Sequence, residues 1–178
     1  MDKKILNHYK ESLRAFHEIN KDLHKIHEIS KFLKKKIYQN RRIFVYGNGG
    51  SFSDSSHFVG ELTATYENKN RRALPFFLLG SNPAAVTAWS NDFKFEDYLV
   101  REFSGYADKH DVLFLLSSSG GDLKKKQSLN LIKLAKYCKE KKIYLISLIG
   151  KSGGELKKYS KKYILINSKN TGTIQEVQ

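Results

Sequence analysis

At 178 residues, with 40% hydrophobic and 28% charged side chains, the chain has the length and composition of one globular domain that can bury a real core. Its one cysteine, Cys138, excludes a disulfide framework, and no signal-peptide or membrane-length apolar run is present, so a cytoplasmic protein without a membrane partner is expected. The net charge of +14 is spread over short lysine clusters at 34–36, 124–126, 139–142 and 157–162, without a nucleic-acid motif. That predicts a solvated basic surface with a slight bias toward anionic substrates, and no nucleic-acid partner.

Residues 4–37 repeat apolar side chains at Leu6, Tyr9, Leu13, Phe16, Ile19, Leu23, Ile26, Ile29, Leu33 and Ile37. These steps of three and four, free of Gly and Pro, predict one long amphipathic helix. It carries more apolar edge than one small domain needs, so residues 1–40 are expected to pack subunits together, ahead of an α/β core over 41–178. His8, His17, His24 and His27 lie in or beside its polar face and are expected at the surface.

Beyond residue 40, short apolar runs alternate with helical windows: Ile43–Tyr46, Phe76–Leu79, Val112–Leu116, Ile143–Ile149 and Tyr163–Ile166. Continuous hydrophobicity, as opposed to alternation, predicts strands buried on both faces, hence an open parallel sheet flanked by helices. Ligands of such folds gather beyond the C-terminal ends of the strands.

The turns there are informative. The first strand runs into Gly47-Asn48-Gly49-Gly50-Ser51, with a helix expected from Ser53 or Asp54, and a helix N-terminus after a small-residue turn can hold an anion. His57 and Glu61, at i and i+4, share one face of that helix, so a base or metal ligand would stand beside the turn. The spacing matches neither the dinucleotide fingerprint nor the Lys-containing phosphate loop. Gly80-Ser81-Asn82-Pro83 reads as a helix-starting turn. After Val112–Leu116 come Ser117, Ser118, Ser119, Gly120 and Gly121, whose hydroxyls and backbone N–H groups could hold a phosphate.

Taken together these pieces resemble the SIS (sugar isomerase) fold and, within it, the phosphoheptose isomerases. The residues that carry the resemblance are Gly47–Ser51 with His57, Phe58, Glu61, Leu62 and Thr63, then Asn91-Asp92-Phe93 with Phe95, Ser117–Gly120, Gly150-Lys151 with Gly153-Gly154, and Ile174-Gln175-Glu176. The resemblance implies a five-stranded SIS sheet, a homotetramer, and conversion of sedoheptulose 7-phosphate to D-glycero-D-manno-heptose 7-phosphate for lipopolysaccharide, capsule or S-layer glycans. It implies substrate binding by Asn48, Gly49, Gly50, Ser51, Glu61, Asn91, Asp92, Ser117, Ser118, Ser119, Ser128 and Gln175. Glu61 would be the base, a carboxylate sheltered enough to take up a proton between C1 and C2. In zinc-bearing members His57, Glu61 and Gln175 match three ligands, and a tetrahedral site needs a fourth. Some relatives instead bind a protein such as a bacterial replication initiator, and others sense sugar phosphates beside a DNA-binding domain.

Three departures from the family pattern carry expectations of their own. The family's fourth ligand, a histidine eight residues after the glutamine, would fall at position 183, past Gln178, so little or no turnover is expected from this 178-residue chain. Residues 121–126, Gly-Asp-Leu-Lys-Lys-Lys, read as an insertion that returns Ser128 to the place of a phosphate-binding serine. Thr65 stands where the family often has a basic residue, with Arg71 and Arg72 nearby in sequence.

Overall fold

The computed structural model describes residues 2–178. The N-terminal stripe forms α1 (Lys3–Ile19) and α2 (Leu23–Tyr38), separated by one 3-10 turn at Asn20–Asp22 where a single helix was expected. The break falls on Asn-Lys-Asp, where Asn and Asp favour local side-chain bonding over continued helix. There the Leu23 N–H reaches Asn20 O in an i→i+3 bond, and Asp22 pairs with Lys25 at 2.6 Å. All four histidines of this segment are exposed.

Five parallel strands follow: β1 (Ile43–Gly47), β2 (Phe76–Leu78), β3 (Val112–Ser117), β4 (Tyr144–Gly150) and β5 (Lys162–Ile166). Their order is β2-β1-β3-β4-β5. Side chains alternate between faces along each strand, and here both faces are covered. Phe44, Leu113, Leu115 and Leu145 pack on one side with Leu99, Phe103, Leu131 and Leu134, which come from α5 (Phe95–Tyr106) and α6 (Leu129–Lys141). Ile43, Val45, Phe114 and Ile146 pack on the other with Ile29 and Leu33 of α2 and Val59 of α3 (Gly50–Thr63). Two-sided burial is why the strands read as unbroken apolar runs.

From β1 the chain moves outward to β2, crosses through α4 (Pro83–Asp92) and α5, and returns on the other side of β1 as β3. The direction of winding therefore reverses between β1 and β3, and a crevice opens at their C-terminal ends. Beyond α7 (Leu156–Tyr159) and β5, α8 (Thr171–Val177) returns to α1, where His8 and Ser12 both bond the Glu176 carboxylate. Among the described residues no helix is long and apolar enough to cross a membrane.

Candidate active site

The crevice is built from glycines first. Gly49 takes φ +58 and ψ −123, a conformation that favours glycine, and its carbonyl accepts the N–H groups of Phe52 and Ser53. Helix α3 thus begins at Gly50, three or four residues before the expected Ser53 or Asp54. A glycine, lacking any side-chain cap, starts it, so the usual Ser/Asp cap signal pointed too far along. On the other side of the crevice, a Cβ on Gly120 or Gly154 would collide with the backbone of Gly153 or Gly121. The turns after β3 and β4 consequently lie backbone against backbone, joined by Glu155 N–H to Gly121 O at 3.1 Å and Leu156 N–H to Gly120 O at 2.9 Å.

Ser117 and Ser119 use their oxygens locally, accepting from the Gly120 N–H at 3.0 Å and the Gly121 N–H at 3.2 Å. Each hydroxyl proton is left to donate elsewhere. Ser118 is half-buried between them. Residues 121–126 form a closed excursion: Asp122 and Gln127 exchange backbone bonds of 3.0 and 2.9 Å, and the Asp122 carboxylate accepts from the N–H groups of Lys124 and Lys125. Those contacts hold its carboxyl below the usual range. The loop leaves and re-enters at one place, so Ser128 stands directly before α6.

Sequence reasoning missed Asn130. Its amide donates to Asn48 Oδ1 at 2.8 Å and accepts from Asn48 Nδ2 at 3.0 Å, closing a reciprocal pair across the floor of the crevice. Ser51 is buried, and its hydroxyl donates to the Gln178 side chain at 2.9 Å. Gln175 stands directly over Gly50, in the space a side chain there would fill. Asn91 and Asp92 lie at the exposed far end of α4, where the Asn91 amide donates to Asp92 at 2.9 Å, and no hydrogen bond ties them to the other predicted residues.

Along α3, His57 Nε2 stands 3.4 Å from Glu61 Oε1, with the two side chains 79% and 41% exposed. Glu61 was expected to be sheltered; within one chain its side chain is only partly covered. Two donors on one tetrahedral zinc with bonds of about 2.0–2.1 Å would be about 3.3 Å apart, so the pair fits two corners of such a site. Gln175 sits seven residues back along α3, about 10 Å by helical rise, although side chains on a helix lean toward its N-terminus and so toward it. No group of three or more His, Cys, Asp and Glu suited to a metal occurs among the described residues. Arg71 closes the C-terminal end of the same helix, donating to Glu61 O at 2.7 Å and Leu62 O at 2.6 Å. Arg72 instead reaches Ile37 O.

The SIS domain family matches residues 7–150 of this chain. A probable phosphoheptose isomerase of Thermoplasma volcanium is 33% identical, over 98% of this chain and 89% of that protein. The phosphoheptose isomerase of Helicobacter pylori strain P12 is 32% identical, over 94% and 86%. Among solved structures, the phosphoheptose isomerase of Neisseria gonorrhoeae superposes with a TM-score of 0.83 at 27% identity, covering 98% of this chain and 90% of that one. With its sheet, its crevice and these relatives, the chain belongs to the phosphoheptose isomerase family of SIS-domain proteins.

Proposed function

We propose that this protein is a sugar-phosphate isomerase acting on sedoheptulose 7-phosphate to give D-glycero-D-manno-heptose 7-phosphate. The observation that carries the reading is the His57–Glu61 pair on the helix that rises from the crevice turn. Asn48, Gly49 and Gly50 would hold sugar hydroxyls from one side. The free hydroxyl protons of Ser117 and Ser119, with Ser118 and Ser128, would hold the phosphate from the other. Asn91, Asp92 and Gln175 would complete the substrate set.

In this reading Glu61 removes a proton from C1 of the ketose and returns it to C2. The O1 proton passes to O2 by way of the enediol, so that C1 becomes the aldehyde carbon and C2 a hydroxyl-bearing carbon. Oε1 of Glu61 faces His57, which leaves Oε2 for this proton. His57, Glu61 and Gln175 are the residues that would hold zinc, and a bound zinc would supply polarisation of the substrate carbonyl.

Assembly as a homotetramer with its sites at subunit boundaries is part of the same reading. Two findings support it: Tyr9, Leu13, Phe16 and Leu23 are 47–60% exposed on the N-terminal helices, and Glu61 is only partly covered within one chain. The buried Cys138 thiol, pushed up by burial, is an inert core residue that suits a reducing cytoplasm. The product would feed heptose glycan synthesis for lipopolysaccharide or capsule.

Proton NMR with sedoheptulose 7-phosphate in heavy water tests the reading. Exchange at C1 that disappears in Glu61→Gln would establish Glu61 as the base and show that it works without the histidine at position 183, against the little or no turnover expected from the sequence. Ligand line broadening without exchange would leave a phosphosugar-binding protein in place of an isomerase.

A further inference from the structure

Resting on the isomerase reading above, we propose that Asn130 is a positioning residue for the sugar phosphate, fixing Asn48 and its glycine turn against the start of α6 through a two-bond amide pair. Asn130 does not need to touch the substrate for this role.

The pair joins two segments 82 residues apart. Asn48 follows β1 and Asn130 lies in the first turn of α6, two residues after Ser128, so one pair of bonds ties the hydroxyl-binding turn to the phosphate-binding side. Each amide has two N–H donors and a carbonyl oxygen with two lone pairs. The reciprocal bonds of 3.0 and 2.8 Å use one N–H and one lone pair of each partner. Asn48, being only partly buried, keeps its second N–H and second lone pair for a ligand, and their directions are set by the pair.

Two further observations indicate that this geometry cannot relax cheaply. Asn130 is only 2% exposed, so a broken pair leaves an amide unsatisfied away from water. Beside it lies the Tyr46 phenol, itself 7% exposed and pushed up to about 12, chiefly by burial. On the Asn130 side, the pair is therefore closed off from bulk water. The position also asks for an amide: a carboxylate of the same shape accepts but cannot donate, and would set its oxygen against Asn48 Oδ1.

A double-mutant cycle on the full chain tests this, using Asn130→Ala and the isosteric Asn130→Asp, each in the native and the Asn48→Ala backgrounds. Acting through Asn48, either change should lower kcat/KM by about tenfold or more in the native background and by less than about twofold when Asn48 is already alanine. Side-chain 15N–1H spectra provide a reading independent of turnover: the bonded Asn48 amide proton should lose its protection in Asn130→Ala, whereas Asn130→Asp keeps an acceptor for it and removes only the bond that Asn130 donates. Equal losses in the two backgrounds, or an unchanged Asn48 resonance in Asn130→Ala, would overturn the positioning role while leaving the isomerase reading intact. A wild-type chain that neither exchanges C1 of sedoheptulose 7-phosphate nor binds it would overturn the isomerase reading, and with it this role, even where the spectra still show the pair.

Discussion

The side-chain amide of Gln175 fills the space above Gly50, so that α8 meets the first turn of α3 through that amide. Any Cβ at residue 50 has to displace Gln175. Because the obstructing atoms are the far end of a flexible side chain, the displacement is cheap, and Ala also favours the helix that begins there. Gly50→Ala should therefore leave the melting temperature within about 2 °C of wild type while moving Gln175 away from its place beside α3. Activity should fall about tenfold or more, together with zinc affinity measured by metal competition. Gly47→Ala provides the contrast, since its Cβ would stand 2.5 Å from the Ser51 backbone oxygen, and backbone cannot step aside. That variant should lose about 2–4 kcal/mol of stability in denaturant unfolding. Equal stability losses in the two variants would show that Gln175 is wedged as rigidly as backbone.

The His57–Glu61 pair makes a prediction about chemistry and binding separately. Glu61→Gln keeps the shape and removes the proton acceptor. It should reduce C1 exchange by roughly 10²–10⁴-fold with little change in binding of sedoheptulose 7-phosphate by calorimetry. His57→Ala should lower zinc content per chain after dialysis against limiting metal. An unchanged exchange rate in Glu61→Gln would remove Glu61 from the role of base.

Much of the fold was legible because continuous apolar runs have few alternatives in a chain of this composition. The runs at Ile43, Phe76, Val112, Ile143 and Tyr163 each became a strand within about one residue of the expected place. Residues 121–126, expected as an insertion, fold as a loop that Asp122 closes on itself. What stayed hidden depends on partners far apart in sequence or on backbone conformation. Asn130 reads as one more polar residue on a helix until Asn48 is set against it. The tie from Glu176 to His8 and Ser12 spans more than 160 residues, and nothing local marks either end. The start of α3 was misplaced because Gly49 begins the helix by its conformation, without a capping side chain. The partial cover of Glu61 was equally unreadable, since shelter depends on whatever lies above α3.

Leu13 and Phe16 point to the next prediction. They are 51% and 47% exposed on α1, so a charge there meets water in an isolated subunit but dry surface in an assembled one. Leu13→Glu and Phe16→Glu should leave the circular dichroism spectrum unchanged while lowering the mass found by light scattering from tetramer toward monomer. Burying an unpaired carboxylate costs several kcal/mol, enough to dissociate a subunit contact at micromolar concentration (roughly −8 kcal/mol). A wild-type monomer would contradict the assembly.

Arg71 stabilises the end of the helix that carries Glu61. Its guanidinium satisfies two carbonyls of the last turns and places positive charge at the negative end of the helix dipole. Arg71→Ala should cost about 1–2 kcal/mol, seen as a drop of roughly 3–6 °C in melting temperature for a chain of this size. It should also lower activity by loosening the turn on which Glu61 sits. Arg71→Lys should recover only part of the loss, because one ammonium on a flexible stem cannot reproduce the planar two-carbonyl contact. Full recovery by lysine would reduce the contribution of Arg71 to charge alone.

Glu102 provides the pH-dependent case. Its carboxylate accepts the Gly80 N–H at 2.7 Å, and no cation pairs with it among the described residues. Burial raises its pKa above the usual carboxylate range, and the Gly80 bond only partly offsets this. When the folded pKa lies above the unfolded one, the folded state binds the proton more tightly, so stability is lost as pH rises from the unfolded value through the folded value. Below the unfolded pKa both states are protonated and no penalty exists. Above the folded pKa the whole penalty is present. Glu102→Gln keeps an oxygen to accept from Gly80 and never ionises. It should therefore melt above wild type at pH 7.5, with the gain shrinking as the pH falls to the unfolded carboxylate range. A thermal-shift series over that range would show the difference opening only as Glu102 ionises. A variant that melts lower than wild type at every pH would mean that the carboxylate contributes a contact the amide cannot make.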